Sequence, residues 1–389
     1  MADRVRAQYE AYPYPARDPA DEARRLIVGS PSDPREIDHV LFGGRRDWSV
    51  PLRALVAGGG TGDGLVQLAQ KLAWAGRPCE ITYIDLSERA RAIAEARLAA
   101  RDLGGVRFVT GSLLDAGELG PFDYIDCCGV LHHLPDPVAG FAALRAALAP
   151  GGGIGFMVYA PYGRTGVYPL QEAFGALFAG LSEADRLAAA RTALARLPEG
   201  HPFRRNPHLA DYEASDAGFY DLLLHSQDRA FPVRDLHAAL AAAGLRAVTL
   251  LPERLYDPAR FVEVPEGLDA LTRMEIAEKL DGTMKVHIGY AVPADDPRQV
   301  AEGAPDQVPH LAGPPERIAR QIAATGRLAF RANGHHPAEI VLPEDAAPLL
   351  AAIDGHRTVE ALRAGPAGAH WDAVAAAFSG WNLLHYARL

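Results

Sequence analysis

The stretch Leu55-Val56-Ala57-Gly58-Gly59-Gly60-Thr61-Gly62-Asp63-Gly64 constrains this chain more than any other. An apolar strand runs straight into glycines, and apolar residues then recur at helical spacing at Leu65, Leu68, Ala69 and Leu72. Such a junction lets the backbone turn sharply and lets a ligand approach closer than any Cβ would allow. The turn is expected to seat a cofactor, and its spacing excludes two common ones. Gly58, Gly60 and Gly62 alternate, with Asp63 three positions after Gly60 and Leu65 three after Gly62, so no frame gives G-x-G-x-x-G. A P-loop needs Lys-Ser or Lys-Thr after its last glycine, whereas Gly64 is followed by Leu65-Val66.

Strand and helix alternate from there. Residues 54–57, 80–85, 106–109, 122–128 and 154–159 read as strands, and 65–75, 88–102 and 136–148 as helices. A helix at 233–243, stopped by Gly244, leads to two last strands at 245–251 and 285–292. Units of this length imply parallel strands joined by right-handed crossovers. The expected fold is α/β: a doubly wound, mostly parallel seven-stranded sheet.

The most distinctive run is Gly129-Val130-Leu131-His132-His133-Leu134-Pro135-Asp136-Pro137, followed by a helix and Leu148-Ala149-Pro150-Gly151-Gly152. Together with the glycine turn and Asp85, it resembles the class I S-adenosylmethionine-dependent methyltransferases, well over residues 50–160 and weakly to 292. The resemblance implies a Rossmann-like fold, S-adenosylmethionine as cofactor, and methyl transfer to an N, O or C acceptor. It places Gly58, Gly60 and Gly62 under the methionine part of the cofactor, and Leu86 and Gly129 beside it. Asp85, 23 positions after Gly62 at a strand end, is expected to hold the ribose hydroxyls; Ser87 is the better cap for the helix that follows.

Two departures stand out. Many relatives carry an acid near the end of the first strand, where this chain has Val56; Asp63 either replaces that charge near the methionine ammonium or faces solvent at the helix start. Many also carry an acid after the third strand, where this chain has Ser112. Adenine recognition then falls to the Ser112 hydroxyl, to backbone beside Leu113, or to Asp115.

Paired histidines invite a zinc or general-base reading. Adjacent loop residues point different ways and no further ligand follows at metal spacing, so no metal site is expected. Either one of His132 and His133 faces the pocket as a base or orienter, or both pack locally. Methyl transfer from a sulfonium is an in-line displacement that depends mainly on positioning, so the lack of an obvious catalytic residue is no objection.

Around this core lie three additions. Residues 1–48 form an N-terminal arm in which a helix from about Asp3 should end near Ala11, before the extended Tyr12-Pro13-Tyr14-Pro15. Tyr9 and Tyr14 make it either a lid that touches substrate, Tyr14 with a catalytic part, or a plain anchor. Within the methyltransferase domain, 49–292, residues 161–230 form a helical insertion over the pocket mouth, with Tyr162, Arg164, Tyr168 and His225 as acceptor-binding candidates. Residues 293–315 read as a Pro-rich linker. Residues 316–389 form a small α-rich domain with some likeness to peptide-binding winged-helix modules; a structural or homodimerising tail is the other reading.

Composition limits the partners. A formal net charge of −10 argues against general nucleic-acid binding. No run reaches the ~18 apolar residues of a membrane span, and the first residues lack a signal-peptide core, so a cytoplasmic protein is expected. The three cysteines have no C-x-x-C spacing. The expected acceptor is a small metabolite; the alternatives are a peptide presented by the C-terminal module, or a non-catalytic cofactor-binding protein. An enclosed pocket favours the metabolite, and a groove continuous with residues 300–389 favours the peptide.

Overall fold

The computed structural model describes residues 2–389. Helix α1 spans Ala2–Ala11, stopping where Tyr12 precedes Pro13. Helix α2, Pro34–Leu41, is capped by Asp33 and buries polar Glu36, Asp38 and His39 along with Ile37, Val40 and Leu41. Then follow β1 (Leu52–Ala57), α3 (Asp63–Trp74), β2 (Cys79–Asp85), α4 (Glu88–Ala99), β3 (Val106–Thr110), β4 (Phe122–Cys128), α5 (Pro137–Ala146) and β5 (Leu148–Tyr159). Caps fix the helix starts: Ser87 Oγ accepts the Ala90 N–H, and Asp136 accepts those of Val138 and Ala139.

The insertion folds as α6 (Val167–Leu177), α7 (Glu183–Ala195), α8 (Asp211–Ala214) and α9 (Asp216–Leu223) around a core that includes Phe174, Leu187 and Phe219. Returning to the sheet, α10 (Val233–Ala242), β6 (Leu245–Leu251), α11 (Ala270–Asp281) and β7 (Val286–Pro293) complete it. Strand order is β3-β2-β1-β4-β5-β7-β6, with β7 antiparallel to both neighbours. Ala54 and Val56 pack on one face and Leu55 and Ala57 on the other, the period of two expected of a strand covered on both sides.

Residues 293–315 are tied down along their length rather than free. The Ala301 N–H donates to the His39 carbonyl at 3.0 Å, and β8 (Pro309–Leu311) lies within the segment. Beyond it come α12 (Pro315–Thr325), the hairpin β9 (Arg327–Ala332) and β10 (His336–Val341), α13 (Ala347–Ala352), α14 (Val359–Arg363), α15 (Trp371–Ser379) and β11 (Leu384–Tyr386), which pairs with β8. Trp371, Leu350 and Phe378 centre a separate core for this part. Among the described residues no helix is long and apolar enough to cross a membrane.

Candidate functional site

At the carboxyl ends of the parallel strands the glycine turn forms one wall of a cavity of about 490 Å³, the size of a small-molecule site. Asp85 closes one end. Its carboxylate accepts the Gly60 N–H and the Ser87 N–H, each at 2.8 Å, so it braces the turn while each oxygen keeps a lone pair for a ligand hydroxyl. Burial raises its pKa and these N–H groups pull against that rise. Gly58, Gly60, Leu86, Ser112, Leu113 and Gly129 all border the same space. Ser112 Oγ accepts the Leu114 N–H at 3.1 Å, which leaves its own proton to donate.

Gly62 does not border the cavity. It sits at φ 96° as the N-cap of α3, and a Cβ there would stand 2.9 Å from the Ala94 Cβ. Its absent side chain lets α3 approach α4, which corrects the expectation that it touches cofactor.

Asp63 corrects another expectation. It lines the cavity, but Arg17 Nη2 reaches it at 2.6 Å and Arg97 Nη1 at 2.7 Å, and Arg97 also holds Glu22 at 2.7 Å. Burial pushes the Asp63 carboxyl up, and the two guanidinium groups outweigh that and hold it below its ordinary value. Its charge is paired with two guanidinium groups and fastens the arm to α3 and α4.

The free carboxylate at the turn is Asp126, which the sequence reading passed over. It is 1% exposed, lines the cavity, hydrogen-bonds Ser32 Oγ through Oδ2 and leaves Oδ1 without a partner. Burial lifts it to about 6 against the pull of the Ser32 hydrogen bond. A side chain at Gly64 would strike it, so the turn is cut to fit around it.

The far end of the cavity is built by the arm, β5 and the insertion. Tyr9 donates to Asp221 Oδ1 at 3.1 Å, and Tyr159 to Asp221 Oδ2 at 3.1 Å. His225 Nδ1 accepts the Gln227 N–H at 3.0 Å, so in the neutral ring the proton sits on Nε2, 3.3 Å from the Tyr9 oxygen. Burial pushes the Asp221 pKa up, offset in part by His133. Asp221 was also missed from sequence, since nothing local marks it within a helical insertion.

The remaining candidates divide. Tyr9, Tyr14, His133 and Arg164 line the cavity; His132, Tyr162 and Tyr168 do not. Arg164 is buried, stacks 3.6 Å over the Tyr159 ring and pairs with Asp228 at 2.9 Å. The Tyr168 oxygen accepts Arg164 Nε at 3.0 Å, and the Tyr162 carbonyl accepts the Thr165 hydroxyl at 2.5 Å, so both tyrosines shape the loop behind the wall. His132 is fully buried against Tyr159, ring centroids 3.7 Å apart. The two histidine rings point different ways, as expected of adjacent loop residues: their planes are inclined by 61° with centroids 4.1 Å apart, and only His133 lines the cavity.

An open, mostly parallel sheet with an antiparallel seventh strand, a glycine turn after β1 and an acid ending β2 define a Rossmann-like cofactor-binding enzyme domain. Residues 55–154 match the model of a methyltransferase domain. The chain is 32% identical to the uncharacterized protein syc1184_c of Synechococcus over 268 residues, 66% of this chain and 61% of that protein. It is 33% identical over 107 residues, 25% of this chain and 40% of that one, to a ubiquinone biosynthesis O-methyltransferase of Aromatoleum aromaticum. The fold matches that of PKMT2 from Rickettsia typhi, with a TM-score of 0.63 at 14% identity, across 94% of this chain and 77% of that one. Residues 55–154 thus form a class I, Rossmann-like S-adenosylmethionine-dependent methyltransferase domain.

Proposed function

We propose that the protein transfers the methyl group of S-adenosylmethionine to a small acceptor held beneath the N-terminal arm. The observation that carries this reading is a single cavity running from Asp85 past Asp126 to Asp221, with none of its lining drawn from beyond Val286. Asp85 takes the ribose hydroxyls, Ser112 and the backbone beside Leu113 face the adenine, and Asp126 takes the methionine ammonium. The acceptor lies against Tyr9, Tyr14, Tyr159 and Asp221. When bound, the cofactor would supply an electrophilic methyl group on its sulfonium, which the acceptor's N, O or C atom would take in line with the sulfur, leaving a neutral thioether. Where the acceptor carries a proton, Asp221 receives it: burial raises its proton affinity, and two tyrosine hydroxyls hold it in place. His133 lines the wall beside it.

A small acceptor is favoured over a peptide because the arm supplies Val5, Tyr9, Tyr14, Pro15 and Arg17 to the lining and residues 300–389 contribute nothing to it. The test is incubation of the purified protein with methyl-labelled cofactor and cell extract. Label in the small-molecule fraction is expected. Label in protein would overturn the acceptor class, and failure to bind S-adenosylhomocysteine would overturn the whole reading.

A further inference from the structure

Behind the acceptor end lies a group of side chains that the methyl-transfer chemistry does not use. One ring nitrogen of His132, one of His133 and one carboxylate oxygen of Asp228 lie within 4.8 Å of one another. A second trio, His133, Asp221 and His225, meets the same criterion, but Asp221 and His225 are already engaged. There the Asp221 oxygens accept from Tyr9 and Tyr159, and His225 Nδ1 accepts the Gln227 N–H. The first trio is different. His132 is wholly buried with neither ring nitrogen hydrogen-bonded. Asp228 gives Oδ2 to Arg164 at 2.9 Å and Gln171 at 3.0 Å and keeps Oδ1 buried without a partner. His133 Nδ1 lies 3.0 Å from the Gln227 carbonyl. A carbonyl only accepts, so Nδ1 carries the proton and Nε2 bears an open lone pair.

Buried polar atoms left unpaired are costly, on the order of 1–3 kcal/mol each, and in native proteins they are rare enough to need a reason. Here the orphaned Asp228 oxygen and one nitrogen of the neutral His132 ring present lone pairs, and each of the three side chains has a donor atom within 4.8 Å of the others. The other polar atoms of His133 and Asp228 are held from outside, by the Gln227 carbonyl and by Arg164 and Gln171, as the supporting contacts of metal ligands are. The Arg164 charge opposes a cation, yet it faces two buried carboxylates, Asp228 and the nearby Asp221.

We propose that His132, His133 and Asp228 bind a divalent transition metal ion. Two imidazoles and one carboxylate with a position left open suit zinc or iron(II). Zinc ligand atoms at ~2.0–2.2 Å from the metal sit a little over 3 Å apart in a tetrahedron, so donor atoms already within 4.8 Å of one another need draw closer by no more than about 1.5 Å. His133 is the member on the cavity wall, so the site adjoins the acceptor end.

The site is independent of the methyl-transfer reading and is tested without an activity assay. The full-length protein is stripped with chelator and titrated with Co²⁺, followed by its visible d–d absorption. Elemental analysis of untreated protein then separates zinc from iron. One equivalent is expected in the wild type, with affinity at least tenfold weaker in His132→Ala and Asp228→Asn and unchanged in His225→Ala. Should His132→Ala not fold, the isosteric Asp228→Asn carries the comparison. No stoichiometric metal, or equal Co²⁺ affinity in wild type and Asp228→Asn, would overturn the proposal.

Discussion

Val56 of β1 and Asp126 of β4 stand in register at the carboxyl edge of the sheet, so the strand beside the first one supplies a carboxylate to the glycine turn. If it meets the methionine ammonium, Asp126→Asn should weaken S-adenosylhomocysteine binding at neutral pH about tenfold or more, ~1.4 kcal/mol. Wild-type affinity should also decline as pH falls below about 6, where the carboxyl takes up a proton. Calorimetric titration across that range decides it; a variant that binds as tightly as wild type moves the ammonium elsewhere.

The same residue makes a stability prediction of opposite sense. Its folded pKa, about 6, lies above the unfolded value of ~3.9. Protonation therefore favours the folded state, a contribution fully present below about pH 4 and lost as pH rises through 6. At neutral pH the buried, ionised carboxylate costs the cofactor-free protein on the order of 1–3 kcal/mol. Without cofactor, Asp126→Asn should melt higher than wild type at pH 8, with the gap closing near pH 4. A gap that widens on acidification refutes the assignment.

Asp85 joins cofactor binding to turn geometry. Asp85→Ala should cost roughly 1.5–3 kcal/mol of S-adenosylhomocysteine affinity, the scale of hydrogen bonds to a charged group. Because the carboxylate also holds the Gly60 and Ser87 N–H groups, Asp85→Asn should recover only part of the loss. Unchanged affinity in the alanine variant would remove Asp85 from the site.

What the sequence made legible was local. The glycine turn, the strand-helix alternation, the Ser87 cap and the position of Asp85 each depend on neighbours a few residues away. Asp126, Asp221 and Asp228 gain meaning only from strand register and from an insertion folding back on β5, and no spacing encodes that. Helix α11 escaped because its periodicity is poor: Glu278 is buried while Leu280 is exposed. The hairpin of β9 and β10 was legible and overlooked. Asn333-Gly334, both with positive φ, is a strong hairpin-turn pair between strands.

The Tyr9 hydroxyl is wedged between Asp221 and His225. Tyr9→Phe strips Asp221 of one of its two donors and leaves the His225 Nε2–H facing a ring edge. Turnover should fall at least tenfold, and stability by about 1 kcal/mol, since the lost hydrogen bond is buried. S-adenosylhomocysteine affinity should hardly change. Rate, melting temperature and affinity measured on one preparation distinguish a substrate-facing arm from an anchor, which would lose rate only in proportion to folded protein.

The C-terminal part invites a truncation, and the contacts forecast failure. A Pro-rich segment before it suggested that residues 300–389 could be removed cleanly. Instead that part satisfies the buried polar face of α2. Asn382 Nδ2 donates to Glu36 at 2.6 Å, the Arg388 N–H to Asp38 at 3.0 Å, and the Tyr386 N–H to His39 Nδ1 at 3.3 Å. The Gly380 carbonyl accepts the Arg254 N–H at 2.9 Å, and Asn333 Nδ2 reaches the Leu251 carbonyl at 3.2 Å. Cutting at residue 300 would expose Glu36, Asp38 and His39 and strip partners worth ~1 kcal/mol each, besides the apolar contact of Trp381 and Leu389 with the sheet domain. The truncated chain is therefore expected to be insoluble or to lose its cooperative melt. A soluble fragment that melts sharply at the wild-type temperature and still binds S-adenosylhomocysteine would show that these contacts only dock a separable module.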